Sequence, residues 1–113
     1  MTVEELIESK KFSVINKASN TNKEISKPYT CDLLSIAMGK MPERAAWVTV
    51  MGNINTLAVS ALADASCIIL AEGCALDEVA KMKAKEQDIT VLSYDGPIFE
   101  GALIIYNMLV ANE

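Results

Sequence analysis

The groups that could carry chemistry are few. Cys31, Cys67 and Cys74 are the only thiols, and the chain has no histidine. A thiol or serine hydroxyl usually needs a neighbouring base to become a nucleophile at neutral pH, so no Ser-His or Cys-His pair can form. The cysteines are unevenly spaced and without a CxxC pair, which makes neither a zinc knuckle nor a disulfide framework; three reduced thiols are expected. Cys67, inside ASCIILA, reads as a small core residue, and Cys74 follows Glu72-Gly73 in a loop. The carboxylate pairs Glu4-Glu5 and Asp77-Glu78 sit at predicted helix starts, where acids complement the helix dipole. Gly39-Lys40 is not a phosphate loop, because that pattern needs glycine where Leu34 stands and Ser or Thr where Met41 stands. These residues predict a non-enzyme that uses no cofactor and no metal.

The stretch WVTVMGNIN (47–55) is a different kind of candidate: an apolar run broken by a glycine between polar residues. Its meaning depends on the elements around it. Thr2 with Glu5 forms a capping box for a helix over 3–9, FSVIN (12–16) reads as a strand, and ASNTNKE (18–24) as a polar turn. Pro28 opens a short extended piece, PYTCD, suited to a sheet edge, and Asp32 is placed to cap the helix of LLSIAMGK. A strand-then-helix rhythm follows three times: AAWVTVM into 54–64, SCIILA into 77–87, and ITVLS into 97–111. Apolar strands alternating with helices predict an α/β domain of 113 residues, with a mainly parallel sheet of four to five strands flanked by helices.

In such a sheet ligands gather beyond the carboxyl ends of the strands, where helix N-termini present free N–H groups. The loops there carry Gly52, Asn53 and Asn55, then Glu72, then Ser93 and Asp95. Two readings stand side by side. Asn53, Asp77 and Asp95 can be plain helix caps and the glycines plain turns, or the loops can define one concave ligand site bordered also by Asp32. Two asparagines at one helix start allow both: one caps and the other faces a ligand or a partner.

Composition narrows the partners. With 5% aromatic residues and a net charge of −5, the chain has neither the stacking platform nor the positive field that nucleic acid requires. No apolar run reaches the roughly 18 residues of a membrane span, and MTVEELIESKK is charged and amphipathic, so a cytoplasmic protein is expected. The segment PIFEGALIIYNMLV is apolar nearly all round a helical wheel. If a sheet covers one side, a second subunit covers another, and the stripe Gly101, Ile104, Met108 is the expected homodimer interface.

The segments YTCDLLS (29–35), AWVTVMGNINTLAVSALADASCIILAEG (46–73) and VLSYDGPIFEGA (91–102) resemble the DRTGG domain family, over about the whole chain. That family is similar in fold to the N-terminal domain of HPr kinase/phosphorylase, and its domains occur fused to CBS domains in regulated pyrophosphatases. The resemblance implies a regulatory, ligand-sensing module, usually dimeric, with an adenine nucleotide or another small anion as ligand. An interaction module without a ligand is the alternative. Asp32, Thr49, Asn53 and Asn55 keep the family pattern, whereas the signature itself is replaced by Asn22-Lys23 and Ser26-Lys27-Pro28. Those replacements remove a bidentate cation and two flexible glycines.

Overall fold

The computed structural model describes residues 1–111. The capping box is present: the Glu5 N–H donates to the Thr2 hydroxyl at 3.1 Å and the Thr2 N–H donates to the Glu5 carboxylate at 3.0 Å, opening α1 (Val3–Glu8). There follow β1 (Ser13–Asn16), β2 (Pro28–Thr30), α2 (Leu34–Lys40), β3 (Ala46–Thr49), α3 (Ile54–Leu62), β4 (Cys67–Leu70), α4 (Glu78–Gln87), β5 (Val91–Ser93) and α5 (Ile98–Ala111). The five strands form one sheet in the order β1-β5-β4-β3-β2. Strands β2 to β5 run parallel, and β1 joins the far edge antiparallel to β5. Pro28 begins the other edge strand, where a missing N–H costs no ladder bond.

The three crossovers from β2 to β5 all step the same way, so the usual right-handed sense puts α2, α3 and α4 on one face. Alternation along the strands then divides the core. Trp47, Ile68, Leu70 and Val91 pack with Ala37, Leu57, Ala80 and Ala84 beneath those helices. Val48, Cys67, Ile69 and Leu92 point the other way, onto Val3, Leu6 and Ile105 of α1 and α5. Both faces are covered, which is why β3 and β4 are buried at every position and read as unbroken apolar runs. Each large side chain so buried contributes about 1.5 to 3 kcal/mol of transfer free energy.

The packing of α5 bears on the expected stripe Gly101, Ile104, Met108. It lies against β2 and β3, and Gly101 is buried there, with Tyr94 and Val48 so close that an added Cβ would meet the Tyr94 ring at 3.1 Å. Ile104 and Met108 are half-buried against the same core as Val3 and Leu6 of α1. The stripe Gly101, Ile104, Met108 is therefore partly covered within the protomer, where α1 and α5 share one core cluster. What remains exposed is the neighbouring stripe: Phe99 at 71%, Leu103 at 41%, Tyr106 at 56% and Val110 at 47%.

Candidate functional site

Parallel strands bring the loops after β2, β3, β4 and β5 to one carboxyl edge, and there the loops bond to one another. The Asp32 carboxylate accepts from the Thr49 hydroxyl at 2.6 Å and from the Val50 N–H at 3.1 Å. It does not cap α2, whose N-cap is Leu33 with no side-chain bond. The reason is burial: Thr49 is fully buried, so its hydroxyl needs a partner, and the Asp32 side chain supplies the acceptor. Thr49 in turn accepts from the Met51 N–H at 3.3 Å, which leaves its hydroxyl engaged on both sides.

Gly52 answers whether the break in WVTVMGNIN is a turn or a ligand loop. A Cβ there would stand 2.2 Å from the Ala75 carbonyl oxygen, so only glycine lets the loop after β4 cross this point. The Asp77 N–H donates to the Gly52 carbonyl at 3.1 Å across the same junction. One loop further on, the Glu72 N–H donates to the Gly96 carbonyl at 2.9 Å and the Gly73 N–H to the Tyr94 carbonyl at 3.1 Å. Glu72 and Gly73 reach these bonds with φ of 60° and 67°, the left-handed region. The four loops thus form a belt from Asp32 to Gly96. Gly52 faces the next loop.

The asparagines divide as expected. Asn53 is the N-cap of α3, its side-chain oxygen accepting from the Asn55 and Thr56 N–H groups at 3.0 and 3.2 Å. Asn55 is exposed. Asp77 caps α4 through the Ala80 N–H at 2.8 Å.

Ser93 and Asp95 line an open cavity of about 430 Å³ together with Val14, Gly73, Cys74 and Lys81. It sits where the connections change face, since α4 follows β4 onto one side and α5 follows β5 onto the other. Asp32, Thr49, Gly52, Asn53, Asn55 and Glu72 are not among its walls. Lys81 and the β1 residues lay outside the sequence expectation, because nothing in FSVIN announces an antiparallel strand beside β5. Lys81 is the one cation of the cavity, half-exposed and 3.4 Å from Glu78. Cys74 is half-buried there. Cys67, by contrast, is fully buried and its thiol is pushed up to about 12 by desolvation, so it stays protonated and inert.

Among the described residues no group of three or more Cys, Asp or Glu side chains gathers as a metal site, and no helix is long and apolar enough to cross a membrane. No family model matches the chain, and no curated protein matches it.

Proposed function

We propose that this chain is a non-catalytic, cytoplasmic interaction module acting as a homodimer, with α5 of a second copy packing along the exposed stripe of α5. The observation that carries this is the stripe itself. Phe99, Leu103, Tyr106 and Val110 are spaced four, three and four residues apart, the 3.5-residue repeat of a two-helix seam, and all are exposed. An apolar groove of about 570 Å³ runs beside it, between α5 and the β2 edge, lined by Pro28, Thr30, Ile98, Ala102 and Leu103. No charged residue lies in the seam itself, and Glu100 and Asn107 flank it. Pro28 withholds a donor from the strand edge, which favours helix packing over strand pairing as the contact. Light scattering after gel filtration should give twice the 12.2 kDa chain mass, and Leu103→Lys should give a folded monomer. A native protein that is monomeric at micromolar concentration would sink this reading.

A second reading, sensing of a small anionic ligand such as an adenine nucleotide, is favoured by the carboxyl-edge cavity. Its volume of about 430 Å³ lies in the range of small-molecule sites, and Lys81 supplies a cation. The DRTGG resemblance supports the same regulatory role, with ligand occupancy transmitted through the dimer. An adenine nucleotide that raises the melting temperature of the native protein, but not of Lys81→Ala, would support it.

A further inference from the structure

One wall of the carboxyl-edge cavity comes from a strand that is irregular at that point. Val14 of β1 stands opposite Leu92 of β5 and Asn16 stands opposite Val91, so Ile15 is left over between them. In a regular strand neighbouring residues point to opposite faces, whereas an extra residue bends the strand and re-aims its side chains. Here Val14 and Ile15 both line the cavity. Leu76, only 3% exposed, joins them from the loop before α4, and the three make an apolar wall. Val14 is 45% exposed, an apolar residue left open to the cavity rather than sealed in the core.

The remaining walls carry charge of both signs. Lys81 comes from α4 and Asp95 from the loop after β5. Lys81 also stands 3.4 Å from Glu78. A purely anionic ligand would be drawn by Lys81 and opposed by Asp95 and Glu78, and a purely cationic one would be opposed by Lys81. A zwitterion is attracted at both ends. Its carboxylate accepts from the lysine ammonium, and its own ammonium donates to the Asp95 carboxylate. The volume of about 430 Å³ lies toward the low end of small-molecule sites, which suits a compact ligand.

We propose that the cavity takes a free α-amino acid with an apolar side chain, its carboxylate at Lys81, its ammonium at Asp95 and its side chain against Val14, Ile15 and Leu76. This rests on the reading of the cavity as a site for a small ligand with an anionic group, and adds a cationic group to that ligand. The full chain is titrated with L-leucine while its backbone amide resonances are followed. The controls are 4-methylpentanoate, which is leucine without the ammonium, 3-methylbutylammonium, which is leucine without the carboxylate, and adenosine monophosphate. Saturable shifts at Val14, Leu76, Lys81, Ser93 and Asp95 are expected with leucine. Either half-molecule should bind at least roughly tenfold more weakly, since each lacks one hydrogen bond between charged groups. In Asp95→Asn leucine should bind no better than 4-methylpentanoate, and in Lys81→Gln no better than 3-methylbutylammonium. Both residues are exposed, so neither variant removes a core contact. Leucine shifts that persist unchanged in both variants would overturn the proposal. Equal binding of leucine and 4-methylpentanoate, or saturation with adenosine monophosphate and not with leucine, would overturn it while leaving the anion-sensing reading in place. Saturation with none of the four compounds would count against both.

Discussion

The carboxyl-edge belt and the outer stripe of α5 both attract attention as places for a partner, and they differ in what they have left to bond. In the belt, Asp32, Thr49, Gly52, Asn53, Glu72 and Gly73 are joined to neighbouring loops or to their own helix by hydrogen bonds or backbone contact. The α5 stripe presents exposed apolar surface. Polar residues at strand ends are thus used here mainly to hold loops together, while the exposed apolar surface lies on a helix whose sequence is apolar nearly all round.

The sharpest way to break the belt is at Gly52. Gly52→Ala drives a Cβ into the Ala75 carbonyl at 2.2 Å, and the backbone on both sides must move. A loss of about 3 kcal/mol is expected in urea unfolding, the upper range for overpacking. An effect below about 1 kcal/mol would mean that the two loops do not cross as described.

Asp32→Ala comes next. It leaves the buried Thr49 hydroxyl and the Val50 N–H without their acceptor, a cost of about 1 to 3 kcal/mol. Because Asp32 is exposed and water can partly replace it, the lower half of that range is expected. Asp32→Asn keeps an acceptor and should recover much of the loss; no recovery would argue that charge, and not geometry, holds the strap.

The asparagine pair gives a smaller, asymmetric effect. Asn53→Ala removes the cap of α3 and should cost about 1 kcal/mol, whereas Asn55→Ala should stay within about 0.5 kcal/mol. Equal losses would contradict the assignment of the cap. On α5 the matching contrast separates mass from stability: Leu103→Lys should halve the particle mass with little change in protomer unfolding, while Ile104→Lys should destabilise the protomer itself.

The smallest expected effect is in acid. Thr21 holds the Glu4 carboxyl below its ordinary value of 4.5, the Thr2 N–H does the same for Glu5, and Ser19 lowers Asp88 from 3.8. A depressed folded-state pKa gives stability that is present above the unfolded value and lost as pH falls through the folded one. Melting temperature should therefore decline more steeply below about pH 3.8 in the native chain than in Asp88→Asn. All three groups are at the surface, so salt should shrink the difference.

Sequence pattern alone determined the order of elements, because each depends on local periodicity and local capping. Thr2 with Glu5, Asn53 and Asp77 cap helices through bonds that reach no further than three residues, and Trp47, Ile68, Ile69 and Leu92 read as core because their strands are buried on both faces. The α/β class followed from the same signals. Tertiary structure decided everything that depends on what stands opposite. Asp32 could cap the next helix or tie down Thr49, and only a strand seventeen residues away in sequence settles which. Gly52 is required by Ala75, a contact that no local pattern contains. Which stripe of α5 faces outward depends on α1 lying beside it. Propensity and capping act along the chain within a turn or two, whereas burial and pairing are set by neighbours that the chain must fold to bring near.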